Sequence, residues 1–208
     1  MDIMFAVGHI ALGYLIGKIS ADLTGTKLKI SILFSLAILP DIDLIIPGLK
    51  HRGPTHSIII IALSALPFLI FYRKTAVPYV LAVLQHVIPG DYVIGGIQLF
   101  WPITQRWYGL YYCPASIVSG ALEWILFAAS LLLLFRTKDM KKILGWHALN
   151  FALIPPLVAV ISPLFRFPIG LPSTLLIPHL AYMLLFVFSI LRSSCRIFQK
   201  HEISQRSM

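Results

Sequence analysis

Seven apolar runs, at about 3–21, 30–49, 57–72, 77–97, 115–135, 143–165 and 171–191, leave this chain little choice of fold. Each is near the length a helix needs to cross a hydrocarbon core ~30 Å thick, where only helices and closed barrels satisfy their own backbone hydrogen bonds. The third run is short, and the fourth and sixth contain proline. Only 12% of the residues are charged and 58% are hydrophobic, whereas a soluble domain carries about a quarter charged residues. The expectation is an all-α protein, a polytopic transmembrane bundle of about seven helices. Residues 1–191 would form one membrane-embedded domain and 192–208 a basic cytoplasmic tail. Pro40 predicts a break in the second helix, and Pro89-Gly90 a kink or π-bulge in the fourth.

The net charge of +9 points to loops on the cytoplasmic side rather than to nucleic acid, because Lys and Arg gather there in multi-pass proteins. If seven helices alternate, thirteen of the seventeen basic residues share one side, leaving Lys50, Arg52, Arg106 and Arg166 on the other. That places the N-terminus outside and the C-terminus in the cytoplasm. The two cysteines, Cys113 and Cys195, are far apart, which argues against a disulfide framework or a thiolate zinc site. Asp2 precedes the first run and Lys18 follows it, the reverse of a cleaved signal. The aromatic connection 98–114 reads as an interfacial loop.

Against this apolar background the turn from Leu39 to Ser57 stands out. It holds Leu-Pro-Asp41-Ile-Asp43 and then His51-Arg52-Gly-Pro-Thr-His56-Ser. A charge at the bilayer centre costs roughly 2.5–3.5 kcal/mol on insertion scales, so such residues are rare there and usually functional. The alternation of helices brings further ionisable groups to the same end. His86 and Asp91 close the fourth run, and His9 lies six residues into the first, or ~9 Å. Glu123 and His179 fall ~12 Å and ~9 Å from that face.

Aspartate and histidine at a shared depth form a ligand set for a divalent metal. Asp41 and Asp43 point to nearly opposite faces of a regular helix but share a side in extended chain. Either both face the site, or one binds and the other caps a turn. His56, at the start of the third helix, is the better ligand of its pair, with His51 second-tier. Arg52 suits bidentate hydrogen bonding to phosphate, or anchorage at the membrane surface. His86 and Asp91 are five apart, ~140° around a regular turn, and a bulge or kink would bring them together. Glu123 and His179 are second-tier candidates: ligands, partners that orient a ligand, or interhelical hydrogen bonds.

Taken together, Gly8-His9, Leu39-Pro40-Asp41-Ile42-Asp43, His51-Arg52-Gly53-x-Thr55-His56-Ser57, His86…Asp91 and Gly96-Ile97-Gln98-Leu99-Phe100-Trp101-Pro102 resemble the YdjM family over roughly residues 1–105. The resemblance implies an inner-membrane, metal-dependent hydrolase. Two positions depart from the family pattern. Leu44 stands where the family commonly has histidine, and the later His and Asp are five apart where four is usual. The ordered ligands are also similar to those of zinc-dependent phospholipases C and nucleases, which implies phosphoester hydrolysis by analogy.

The expected function is therefore a membrane-embedded hydrolase in which a metal activates water. Zinc is favoured because imidazoles dominate, with manganese as the alternative. His9, Asp41, His56, His86 and Asp91 would be ligands, with Asp41 as ligand or general base. Asp43 would ligate or orient, and Arg52 would steady substrate charge. The substrate expected at headgroup depth is a phosphoester of a membrane lipid or lipid-linked compound. A proton- or metal-coupled transporter using the same Asp and His residues is the competing reading. A protein that docks a cytoplasmic partner through the basic tail is a third.

Overall fold

The computed structural model describes residues 4–111, 116–165 and 170–206, with side chains for all of these except 116–117 and 196–206. Cys113 and Arg166, named above, lie outside them. Among the described residues nine helices follow in order: α1 (Ala6–Thr24), α2 (Ile30–Ala37), α3 (Ile58–Tyr72), α4 (Val77–Gln85), α5 (Tyr92–Ile94), α6 (Ser116–Arg136), α7 (Asp139–Ile143), α8 (Ile154–Ile161) and α9 (Leu176–Arg206). Short 3-10 turns lie at several of the joins. The described residues contain no strand, only an isolated antiparallel bridge between Ile97 and Tyr108 that closes the aromatic loop.

The fold is an all-α bundle. Among the described residues five helical stretches are long and apolar enough to cross a membrane: Ile58–Thr75, Val77–Ile94, Val118–Arg136, Ala148–Phe165 and Ser173–Cys195. The first two of the seven apolar runs differ from these. α1 has 19 residues but lies inside the bundle, with Val7, His9, Ile10, Ala11 and Tyr14 among its buried residues. α2 has only 8 residues, a rise of ~12 Å, and passes into the 3-10 turn Leu39–Leu44. The run at 30–49 is thus a half-helix and a turn rather than an unbroken span, and Pro40 is the reason. α9 continues as helix to Arg206, so the backbone has no break at residue 192.

In lipid the hydrophobic effect does not drive one helix onto another, so close approach and packing must do so. Gly13 and Gly17 of α1 supply the approach. A Cβ on Gly13 would collide with the Ala37 side chain, and one on Gly17 would lie 2.6 Å from Leu33 Cδ1. α2 therefore lies tight along α1. On its other side Phe34 meets Tyr14, Tyr182 and Phe186 at ring distances of 5.5 to 6.2 Å, tying α1, α2 and α9 into one core.

Candidate metal centre

The site begins where α2 ends. Pro40 has no amide proton, so the helical ladder cannot continue through it. Asp41 N–H, which would have bonded to Ala37 in an unbroken helix, donates to Ile38 O at 3.1 Å instead. The freed Ala37 carbonyl accepts from His86 Nδ1 at 3.0 Å and from Gln85 Nε2 at 3.2 Å. A carbonyl can only accept, so the His86 proton sits on Nδ1 and its Nε2 presents a lone pair. That Nε2 lies 3.2 Å from Asp41 Oδ1.

Asp43 is buried and acts as the hub of the turn. Its carboxylate accepts from Arg52 N–H at 3.0 Å and from Thr55 Oγ1 at 2.8 Å. It also lies 3.1 Å from His51 Nδ1 and 3.3 Å from His56 Nδ1. Arg52 adopts φ 63°, a left-handed conformation uncommon outside glycine, which aims its N–H at Asp43. Burial alone would push the Asp43 carboxyl up, but hydrogen bonds from His51, His56 and Thr55 hold it well below the usual carboxylate range. Burial alone would lower His56, yet the Asp43 and Asp91 carboxylates on either side raise it to about 9. Fixing Nδ1 of a histidine with a carboxylate leaves Nε2 for a metal.

The third contribution comes from the end of α4. Residues His86–Asp91 form a π-type turn in which Ile88 departs from helical angles (φ −131°, ψ 115°). This break answers the five-residue spacing and turns both His86 and Asp91 inward. Arg52 Nη2 donates to Asp91 Oδ1 at 2.7 Å, which leaves Oδ2 free. The sequence Gly96–Trp101 buttresses the turn from outside: Gln98 N–H donates to Arg52 O, Ile58 N–H to Leu99 O, and Ser57 Oγ to Trp101 O at 2.6 Å.

Asp41, His56, His86 and Asp91 thus each offer one donor atom, all within 4.8 Å of one another. His56 Nε2 lies 3.0 Å from Asp91 Oδ2 and 3.7 Å from Asp41 Oδ1, and His86 Nε2 lies 3.7 Å from Asp91 Oδ2. A tetrahedral ion held at about 2.0–2.1 Å sets its donors about 3.3 Å apart, which these separations bracket. His56 Nε2, His86 Nε2 and Asp91 Oδ2 are buried and make no well-aligned hydrogen bond, meeting one another only at ion-pair distance, an arrangement that a cation seated between them would satisfy better. Two imidazoles and two carboxylates fit a divalent transition metal.

Residues 4–167 match the YdjM inner membrane protein family. The chain belongs to that family. No curated protein and no solved structure matches it. Family membership and the five apolar spans make this YdjM relative a multi-pass membrane protein.

The remaining candidates sit around the four donors. His9 stacks on His86 with ring centroids 3.8 Å apart, and its Nε2 is 3.8 Å from Asp91 Oδ1. It is outside the four-atom group but touches two members of it. Gly90 permits this approach, since a Cβ there would lie 2.6 Å from His9 Cε1. His51 is half-exposed at the rim, 3.9 Å from Asp41 Oδ1. Glu123 and His179 lie apart from the group. Glu123 Oε1 accepts the Phe5 N–H at 2.7 Å, satisfying the start of α1, and His179 Nδ1 donates to Leu175 O at 2.9 Å. One contributor had no sequence signal that singled it out: Gln85, which also donates to the His9 carbonyl at 3.1 Å. Thr55, part of the His51–Ser57 motif, serves Asp43 while Ser57 caps α3.

Proposed function

We propose that this protein is a membrane-embedded, metal-dependent hydrolase that cleaves a phosphoester of a lipid or lipid-linked substrate. The observation that carries the reading is the convergence of four donor atoms within 4.8 Å of one another, three of them buried without a well-aligned hydrogen bond. Asp41, His56, His86 and Asp91 would hold the ion, zinc in preference to manganese because nitrogen donors make up half the set. Such an ion lowers the pKa of a water toward neutrality and polarises a phosphoryl oxygen.

The chain's own residues do the rest. Asp43 and the Ala37 carbonyl fix the two imidazoles with their Nε2 atoms inward. Arg52 clamps Asp91 through Nη2, and its buried Nε, which has no partner, is available to a phosphate oxygen. Among the four donors Asp41 is the most exposed, at 18% of its side chain, so substrate and water enter past it. Its second oxygen makes none of the imidazole contacts and takes a proton from the attacking water. His51, at the rim 3.9 Å from Asp41 Oδ1, relays that proton to the leaving oxygen as the phosphorus–oxygen bond to it breaks and the water oxygen bonds to phosphorus.

Metal analysis of detergent-purified protein tests this reading, together with hydrolysis of a phosphodiester panel. Wild type should carry metal and turn over, and His56→Ala should do neither. Hydrolysis that persists after chelation would refute the metal mechanism. Ion flux into liposomes without product would replace hydrolysis with transport.

A further inference from the structure

α3 leans on α4 rather than on α2, and only Ile61 of its fifteen residues is buried. Between the three helices lies a cavity of about 780 Å³, within the size range of small-molecule sites. Ile61, Ser64, Ala65 and Phe68 line it at helical spacing, and Tyr72 completes that wall. Ile32 and Leu36 of α2 and Val80 and Val83 of α4 face them. Small side chains at 64 and 65 keep the middle open.

The two ends of this groove differ. At one end its walls are Pro40, Ile42 and Thr55. Pro40 and Ile42 flank Asp41, the most exposed of the four donors, and Thr55 donates to Asp43. At the other end lie Lys27 and Lys29. From Ile60 to Tyr72 the α3 wall rises ~18 Å, more than half of a hydrocarbon core ~30 Å thick. An occupant must therefore be apolar over most of a leaflet's depth and polar where it meets the donor cluster.

We propose that the α2–α3–α4 groove binds one hydrocarbon tail of a phosphate-headed membrane lipid, holding its phosphate at the Asp41 side of the metal centre. This inference rests on the hydrolase reading for its headgroup end, but tail binding is measurable without turnover. The groove explains how a buried site selects a lipid: the tail is taken from the bilayer sideways, and the phosphate arrives with its position already fixed.

The test uses full-length protein in phosphatidylethanolamine–phosphatidylglycerol vesicles doped with phosphatidylglycerol carrying a photoreactive diazirine in one tail. Labelling should concentrate on Ile61–Phe68 and on Ile32 and Leu36, well above the lipid-facing sides of α6 and α9. Ala65→Trp, which fills the groove far from the donors, should lower that labelling about tenfold, the effect of withdrawing one aliphatic side chain's worth of burial. Its metal content should stay at the wild-type level. Val80→Trp, from the opposite wall, repeats the test if Ala65→Trp does not fold. Labelling spread evenly around the bundle, or unchanged by both fillings, overturns the proposal. Parallel assays separate the two readings. If the groove reading holds, Ala65→Trp slows hydrolysis of long-chain phosphodiesters and spares a short soluble one. Groove labelling without hydrolysis of either substrate by wild type would sink the hydrolase reading alone.

Discussion

Two buried polar clusters occupy this bundle, and they are built on opposite principles. Around Asn150 both ends of the amide are engaged: Oδ1 accepts from Ser31, and the two Nδ2 protons are shared among Ile143 O, Gly145 O and Ser193 Oγ at 2.8 to 3.1 Å. Nearby Asp139 accepts from Tyr14 and from Lys142. Such a network joins helices and asks for nothing further. Around Asp91 the outer atoms are equally well served, by Arg52, Asp43 and Ala37, while the inner ones meet only one another, at 3.0 to 3.7 Å and without well-aligned hydrogen bonds. In lipid, unpaired buried atoms cost several kcal/mol or so each. Saturated polarity marks a joint, and several donors satisfied only from behind and aimed at one point mark a seat for a ligand, which the single unpartnered atoms Glu123 Oε2 and His179 Nε2 do not.

Substitutions should separate the two clusters cleanly. The largest effect is expected at the donors. Asp91→Asn or His86→Ala should abolish metal content and phosphodiester turnover, read by elemental analysis and product formation, with the protein still folded. Asp43→Asn should weaken metal affinity or activity by about 10–100-fold, because it orients His56 without binding; a competition titration with a chromophoric chelator measures this. pH gives the next step. With His56 raised to about 9 in the metal-free protein, the ion must displace a proton below that pH. Apparent affinity should therefore rise roughly tenfold per unit up to about pH 9 and level off above it. Calorimetry in buffers of different ionisation enthalpy should find about one proton released near neutrality. An affinity flat with pH would remove His56 from the ligand set.

The comparison is sharpened from the other side by Asn150→Ala. It should cost about 1–3 kcal/mol of stability, seen as a lower thermal midpoint in detergent, and leave metal content unchanged. Smallest of all should be Glu123→Gln. Its Oε1 serves the Phe5 N–H, and although its Oε2 is buried without a partner, neither oxygen belongs to the four-donor group, so neither metal content nor turnover should change. Loss of metal on Glu123→Gln would blur the distinction between joint and seat.

Much of this was legible in the sequence, for a physical reason. A charged side chain is so disfavoured in lipid that Asp41, Asp43, His56, His86 and Asp91 stood out by composition alone, whereas the alternation that gathered them at one end counted the run at 30–49 as a full span, which it is not. Pro40 and Pro89 located the two interruptions. Depth along a helix, however, does not fix rotation about it, so the sequence could not tell that His9 would stack on His86 rather than join the four donors. Nor could it distinguish Glu123, tied to a backbone amide, from a ligand at similar depth. α2 read as a full span because apolar residues continue through the turn after Pro40, and hydropathy registers composition rather than the backbone's conformation. Gln85 and the groove beside α3 depend on how helices approach one another, which no single stretch encodes.

The freed carbonyl of Ala37 has a wider consequence. His86 takes its bearing from a main-chain atom, which mutation of a side chain cannot delete. Every residue at position 37 would carry that carbonyl, although the close packing of Ala37 on Gly13 leaves no room there for a larger side chain. Restoring regular helix through position 40, by contrast, would silence the centre without touching any donor. Its vulnerability therefore lies in the shape of the peptide as much as in the residues that grip the ion.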